Sequence, residues 1–375
     1  MPARRGQNGP VNPTPPLSPG DRTGTPAGDL YLRIRAAATA TLDLMTVRLG
    51  RRLGLYDAMA DGATVTPPSL AERTGLDPRM VREWLEQQAV TGFAELADPA
   101  GAPEERRYRL TEAAREAFTD IDSLSFCAPM ADDVLRTVTR LADLEEAFRS
   151  GAGLDKPYHW EEGRPDENRA AYLQLLGSHW LPAVPDLHER LSAEPPARIA
   201  DVGVGSGWSS IAMALAYPGV VVDGFDLDEI AIGFARQHAR DAGLEDRITF
   251  IAGDAATSTE RYDLVTVFEA LHDVSQPVAM LAGLRRLLAE GGTVLIADEK
   301  VPDEIVAPGT ELDRHHYGWS VLNCLPAAMT DPDSAATGSV MRTSTLRSYA
   351  DQAGYREVEV LPIDHPEWRF YRLHP

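Results

Sequence analysis

The chain has 375 residues, 43% of them apolar and 25% charged, with a formal net charge of −21. That length exceeds what one core ordinarily serves, so two domains and a tail are predicted. The acidity weighs against a nucleic-acid partner, whose phosphates need a basic face, and no apolar run approaches the roughly 18 residues of a membrane-spanning helix.

Residues 1 to 28, rich in Pro and Gly, are predicted to be a disordered tail without a secretory signal. Two cysteines, Cys127 and Cys324, make neither a disulfide framework nor a Cys-x-x-Cys pair, which points to a reducing, cytoplasmic setting. From Leu30 to Met59, apolar residues such as Leu42, Met45, Leu49 and Leu53 recur at helical spacing. One or two helices follow, with a stripe that packs at home or across a homodimer. In TPPSLAERTGLDPRMVREWLEQQ, Ser69 is placed to cap a short helix, Thr74-Gly75 to turn, and Asp77-Pro78 to open a second helix carrying Val81, Trp84 and Leu85. Phe93 to Leu96 and Tyr108 to Leu110 read as a two-stranded wing. Residues 29 to 120 are therefore expected to form a mainly helical winged-helix domain. They carry 12 arginines, no lysine and 15 carboxylates. A major-groove helix needs a net cationic face, so packing or dimerisation is the expected role rather than DNA binding.

Residues 121 to 194 read as a helical region. A helix is predicted over 131 to 149, closed by Gly151, and an amphipathic one carries Tyr172, Leu176, His179 and Trp180. Between them lies GAGLDKPYHWEEGRPDE, a composition that suits a site cover and a plain linker equally. From 195 to 375 strands and helices alternate. Strands are predicted at Arg198 to Val202, Val220 to Phe225, Ile248 to Ala252, Leu264 to Phe268 and Thr293 to Ala297. The helices fall at Ser209 to Ala216, Glu229 to Ala242 and Pro277 to Ala289. This is an α/β fold with ligands at the carboxyl ends of a parallel sheet. Val358 to Pro362 and Trp368 to Leu373 are expected to close the sheet as an antiparallel pair.

The chemistry starts at ARIADVGVGSGWSS, residues 197 to 210, where Gly203, Gly205 and Gly207 follow a strand. Their missing side chains let the backbone approach a ligand. Asp201 at that strand's end suits an ammonium and repels a pyrophosphate. Asp226, with Leu227 beside it, ends the next strand where ribose hydroxyls are accepted. Asp254, followed by Ala255, is placed to accept the amino hydrogens of adenine.

With these stations in order, the chain resembles the class I S-adenosylmethionine-dependent methyltransferases over residues 195 to 300. It resembles more specifically the branch with an N-terminal winged-helix dimerisation domain, rich in small-molecule O-methyltransferases. GWSS, FEALHD, VLNCLP and FYRL are similar to an actinobacterial subgroup. The resemblance implies a seven-stranded Rossmann-like domain, S-adenosylmethionine bound around Asp201, Gly203, Gly205, Asp226, Asp254, Phe268 and Glu269, and a homodimer. It also implies that His272, adjoined by Asp273, is the general base, a role that imidazole chemistry suits. Asp298 or Glu299 is expected to orient the ring.

The acceptor wall is expected from Arg314, His315 and Tyr317 on one side, and from Trp160, Glu161, His179 and Trp180 on the other. No metal set is read, because the adjacent His315 and His316 point different ways and lack a third ligand. The leading expectation is O-methylation of a small, secondary-metabolite acceptor. One alternative is carbon methylation of an isoprenyl diphosphate, with Glu161 or Glu162 as base and Arg314 or Arg342 with magnesium on the diphosphate. Another is a cofactor-sensing winged-helix regulator.

Overall fold

The computed structural model describes residues 24–154 and 168–375, which divide into two compact units, one of residues 24–58 and 64–109 and one of 59–63 and 110–375. Residues 1–23 of the expected tail, and Trp160, Glu161 and Glu162, lie outside the described residues. Among the described residues no helix is long and apolar enough to cross a membrane.

The first unit opens with α1 (Pro26–Arg52), so residues 26–28, expected in the tail, are helical. Thr25 accepts a hydrogen bond from the Gly28 amide and starts the helix there. Leu42, Leu49 and Ile34 on α1 are exposed. The helix-turn-helix forms from α2 (Pro67–Thr74) and α3 (Pro78–Thr91), joined at Gly75 with φ 69°. Thr66 rather than Ser69 caps α2. Ser69 is its reciprocal partner, accepting from the Thr66 amide while donating its own amide to the Thr66 hydroxyl. On α3, Val81, Trp84 and Leu85 are buried, and β1 (Ala94–Leu96) pairs with β2 (Tyr108–Leu110) as the wing. Four arginines of this unit face glutamates, as Arg79–Glu83, Arg82–Glu104, Arg106–Glu86 and Arg109–Glu95, which neutralises the cations that a phosphate backbone would need.

The second unit begins with α4 (Glu112–Thr119), α5 (Ala128–Val138) and α6 (Leu141–Ser150). The single helix expected over 131 to 149 is thus broken at Thr139–Arg140, and Gly151 ends α6 with φ 73°. After α7 (Arg169–Ala171) comes a π-helical stretch, Tyr172–Trp180, a rare form that is frequent at functional sites, and then α8 (Pro185–Ser192).

The sheet is built from β3 (Arg198–Val202), β4 (Val221–Asp226), β5 (Ile248–Ala252), β6 (Tyr262–Phe268), β7 (Leu288–Glu299), β8 (Glu357–Val360) and β9 (Trp368–His374). Its order is β5-β4-β3-β6-β7-β9-β8, parallel except that β9 runs antiparallel to both β7 and β8. The intervening helices are α9 (Trp208–Ala216), α10 (Glu229–Asp241), α11 (Pro277–Leu287) and α14 (Thr343–Gln352). The insertion before α14 holds α12 (Glu311–Trp319), a second π-helical stretch Ser320–Cys324, and α13 (Leu325–Ala328). Strand alternation sorts neighbours to opposite faces. Ile199, Leu264, Leu295 and Phe370 join one buried cluster, while Ala200, Val265, Ile296 and Tyr371 join the other. From β3 the chain works outward to β5 and then returns to β6, so the strand order reverses between β3 and β6, where an open parallel sheet forms its ligand crevice.

Candidate cofactor and acceptor site

At that crevice the turn after β3 meets the turn after β6. Gly203 has φ 76°, and a Cβ there would lie 2.6 Å from the Ala270 Cβ, so the approach of the two turns requires glycine. Gly205 (φ 51°) donates its amide to Asp226 Oδ2 at 2.8 Å, and Asp226 Oδ1 accepts from the Asp228 amide at 2.9 Å. Burial first, and the nearby Asp228 charge, hold this carboxyl above its ordinary range against those amide bonds. Leu227 is 80% exposed and Asp254 is exposed, with Asp254 Oδ1 capping a short turn through the Ala256 amide at 2.8 Å. A cradle that a Cβ would fill, an apolar side chain held in the open, a half-buried carboxylate and an exposed one fit an adenosine-bearing cofactor.

Several expected cofactor contacts are revised. Asp201 is 1% exposed, and its carboxylate accepts from the hydroxyls of Ser209 (2.6 Å), Ser210 (2.7 Å) and Thr266 (2.6 Å). It clamps β3 to α9 and β6 instead of facing an ammonium, and burial pushes its pKa up despite the three hydroxyls. Gly207 (φ 86°) serves packing: a Cβ there would stand 2.5 Å from the Phe250 ring. Ala255 is buried, and the Phe268 ring is committed to the core against Tyr172, centroids 6.0 Å apart.

The acceptor side gathers ionisable groups from distant segments. His272 is 4% exposed, and its Nδ1 lies 2.8 Å from Oδ1 of the buried Asp298. Asp298, not Glu299, therefore orients the ring. Asp298 Oδ1 also accepts from the Glu299 amide at 2.9 Å, while Oδ2 has no hydrogen-bond partner among the described residues. The His272 Nε2 stands 3.4 Å from Asp273 Oδ1, with the Cys324 thiol close by. Burial disfavours the His272 charge, but the charge and hydrogen bond of Asp298, helped by Cys324, outweigh it and hold the imidazole well above its ordinary pKa.

Glu269 sits at φ 52°, a left-handed conformation that costs a non-glycine residue energy. Its Oε2 accepts from Asn168 Nδ2 at 2.8 Å. Burial pushes its pKa up to about 7 against the pull of His272 and the Asn168 bond. Glu299 lies 3.1 Å from Nδ1 of His316. Burial and then the Glu269 charge push Glu299 up to about 9, whereas burial and then His315 push His316 down to about 4, so the two meet as a neutral pair at neutral pH. His316 is 2% exposed, and neither ring nitrogen has a hydrogen-bond partner among the described residues.

Among the described residues, Trp180, His179, Arg314, His315 and Tyr317 of the expected acceptor wall are not brought together. Trp180 is buried among Tyr172, His365, Trp368 and Phe370, so its ring faces are taken by core contacts. His179 is exposed and meets Ser178 Oγ at 2.7 Å. On α12, Arg314, His315 and Tyr317 fall on the exposed side: His315 accepts from Trp319 Nε1 at 3.1 Å, and Tyr317 accepts from Arg342 at 2.9 Å. Helix geometry turns the neighbouring His316 inward instead. The rings of His315 and His316 are 5.8 Å apart at 73°. Asn168 and Cys324 were missed by the sequence reading; the only local signal was their position in the unusual segments GRPDENRA and VLNCLP. Leu154 donates its amide to the Pro326 carbonyl at 2.9 Å and Asn168 bonds Glu269, so both described edges of segment 155–167 are fastened beside this cluster.

A seven-stranded sheet with a glycine turn and carboxylates at successive strand ends, together with a winged-helix unit, defines the S-adenosylmethionine-dependent methyltransferase class. Residues 194–344 match the family described as "Methyltransferase domain", and residues 40–119 match "Rv2258c-like winged HTH domain". The ubiquinone biosynthesis O-methyltransferase of Aromatoleum aromaticum is 34% identical over 179 residues, covering 47% of this chain and 71% of that protein. The chain belongs to the S-adenosylmethionine-dependent methyltransferase family. The same-named protein of Methylococcus capsulatus is 35% identical over 98 residues, 26% of this chain and 41% of that relative's length. The human N-acetylserotonin methyltransferase in complex with S-adenosylmethionine shares the fold with TM-score 0.68, at 17% identity, over 94% of this chain and 99% of that one.

Proposed function

We propose that this chain transfers the methyl group of S-adenosylmethionine to a hydroxyl of a small-molecule acceptor, a secondary metabolite by preference, with His272 as general base. The observation that carries this reading is the buried His272–Asp298 pair at 2.8 Å, set at the carboxyl end of the sheet beside the glycine turn.

Asp226 would hold the ribose hydroxyls, Asp254 the adenine amino group, and the Gly203–Gly205 backbone the remainder, with Leu227 against the base. When bound, the cofactor supplies an electrophilic methyl on a sulfonium. Asp298 keeps the His272 proton on Nδ1, which leaves the Nε2 lone pair to take the acceptor's hydroxyl proton. Asp298 also stabilises the imidazolium that forms as the proton passes to Nε2. Burial of the site keeps water from competing. Glu269 and the neutral Glu299–His316 pair supply donors and acceptors for the acceptor's other polar groups.

The exposed Ile34, Leu42 and Leu49 on α1 support a homodimer through the N-terminal helices, in a cytoplasmic protein. Light scattering after gel filtration would report twice the chain mass, and a monomer at micromolar concentration would remove that part of the reading. The transfer itself is tested with methyl-labelled cofactor against candidate hydroxylated metabolites. His272→Ala is expected to lower turnover by about 10²- to 10⁴-fold with cofactor affinity unchanged. Near-normal turnover in that variant would sink the base assignment.

A further inference from the structure

We infer that the acceptor is a hydroxylated primary amine, whose protonated nitrogen is held by Glu269, Glu299 and His316 while its hydroxyl faces His272. The placement of the hydroxyl rests on the O-methylation proposed above, and the placement of the nitrogen rests on the carboxyls themselves.

This end of the sheet gathers carboxyls without a matching cation. Glu269 and Glu299 stand at the carboxyl ends of the neighbouring parallel strands β6 and β7, where Phe268 pairs in register with Ala297. Asp298, 1% exposed, adds a carboxylate whose Oδ2 has no hydrogen-bond partner among the described residues. The Asp298 charge acts on both glutamates and the Glu269 charge acts on Glu299, with His272 opposing them. Asn168 and Trp368 donate to Glu269, but both are neutral. The basic side chains closest in the strands are committed elsewhere. Lys300 donates to the His365 carbonyl at 2.9 Å, and Arg342 to the Pro302 carbonyl and the Tyr317 hydroxyl. Arg369, the register partner of Asp298, donates to the Val301 carbonyl and the Thr343 hydroxyl. His272 is also committed, with Nδ1 on Asp298 and Nε2 reserved for the acceptor's hydroxyl proton.

An independent observation comes from a different element. His316 on α12 is 2% exposed, its Nδ1 stands 3.1 Å from Glu299 Oε2, and neither ring nitrogen has a hydrogen-bond partner among the described residues. Burying such a ring without partners is costly, and here the cost falls where the carboxyls converge. Ionised carboxylates only accept hydrogen bonds, and a neutral imidazole keeps one accepting nitrogen. The complement of such a set is a ligand that only donates and carries positive charge. Three acceptors on three separate elements match the three N–H groups of a primary ammonium rather than the planar fork of a guanidinium. Burial pushes both glutamates toward their neutral form, and an ammonium between them favours the ionised form instead, with the carboxyl protons passing to solvent. The same contacts settle which atom reacts. An ammonium has no lone pair with which to attack a sulfonium methyl, so the nitrogen anchors the acceptor and the oxygen deprotonated by His272 takes the methyl group.

The test uses the full chain loaded with S-adenosylhomocysteine, which permits binding without transfer. The probes are hydroxyphenyl-ethylamines and hydroxyindolyl-ethylamines, each compared with the alcohol that carries a hydroxyl in place of the amine. Calorimetry should find the amine of at least one matched pair bound about 10- to 100-fold more tightly than its alcohol. In Glu299→Gln, and separately in Glu269→Gln, the amide keeps the shape and removes the charge. The preference should then fall toward one, and in turnover with methyl-labelled cofactor KM for the amine should rise more than kcat falls. The wild-type comparison needs no variant, so a substitution that prevents folding does not decide the matter. A wild type that binds every alcohol as tightly as its amine, or that binds none of the amines, overturns the inference. So does a Glu299→Gln chain that loses affinity for S-adenosylmethionine in parallel, because the carboxyls would then serve the cofactor's own ammonium. Methyl found on nitrogen would sink the hydroxyl reading together with this placement, whereas oxygen methylation without any preference for the amine would sink this placement alone.

Discussion

The turn after β3 and the turn after β6 lie against each other at one end of one sheet, yet they are built on opposite principles. Around the first, polar groups are partnered: Asp201 holds three hydroxyls and Asp226 holds two amides, while glycines supply the backbone conformations at no steric cost. Around the second, Glu269 is strained at φ 52°, one oxygen of Asp298 and both ring nitrogens of His316 have no hydrogen-bond partner among the described residues, and two glutamates are pushed toward their neutral form. A rigid, satisfied half suits a ligand that is always the same. A half with stored strain and open polar groups suits one that must be chosen and deprotonated.

The same difference decides what could be read in advance. The first half is written in one contiguous stretch, because glycine spacing after a strand is a local constraint, and Asp226 and Asp254 follow at the ends of the next two strands. Alternating strand and helix patterns likewise gave the sheet almost residue by residue. Yet Asp201 was assigned to the ligand, since nothing local reveals that Ser209, Ser210 and Thr266 would surround it. The second half is assembled from positions 168, 269, 272, 298, 299, 316 and 324, whose proximity is a property of topology alone. Choosing between Asp298 and Glu299 depended on strand alternation at the last two residues of β7, where one side chain turns to His272 and the other to His316. Trp180 looked like a wall residue because tryptophan serves pockets and cores equally well.

If the first half is rigid because of its glycines, Gly207→Val should damage it most. A left-handed φ costs a β-branched residue about 1–2 kcal/mol, and forcing Cβ to 2.5 Å from the Phe250 ring adds about 1–3 kcal/mol of overpacking. The denaturant midpoint should fall accordingly. A variant as stable as the parent would show that the glycine is not required by packing.

Asp298→Asn sharpens the comparison from the other side. With the ring's orientation and charge partner weakened, turnover on the acceptor should drop by about 10²- to 10³-fold. Cofactor affinity by calorimetry should stay within about twofold, because Asp298 is expected to act only through His272. A loss confined to cofactor binding would mean that the two halves are not separate in function.

Asp226→Ala is the converse. Losing charge-assisted bonds to the ribose should raise the cofactor dissociation constant by about 10- to 100-fold, with turnover at saturating cofactor little changed. Unaltered binding would remove Asp226 from the cofactor site, whatever its bond to Gly205 contributes to the turn.

The smallest effect concerns acid. Burial, with Lys300 nearby and only partly offset by Asp364, pushes His365 down to about 4, and burial with His315 does the same to His316. Between about pH 6.5 and 4 the unfolded chain gains protons at these positions that the folded chain does not, so each histidine subtracts stability as pH falls. Glu269 and Glu299 act in the opposite sense. Their raised values mean that the folded chain holds protons the unfolded chain lacks, so acidification toward pH 5 adds stability. The wild-type stability curve should therefore be flatter in this window than either set alone would make it, and only a variant exposes the cancellation. His365→Asn keeps a side-chain acceptor for the Trp368 amide, which His365 Nδ1 now accepts at 2.9 Å, but cannot titrate. Relative to wild type it should gain about 2 kcal/mol on going from pH 7 to pH 5, measured as the difference in unfolding free energy at the two pH values. A constant difference would mean that His365 ionises in the folded chain much as it does in water, and that burial at this end of the sheet is shallower than the packing of Trp180, Trp368 and Phe370 around its ring implies.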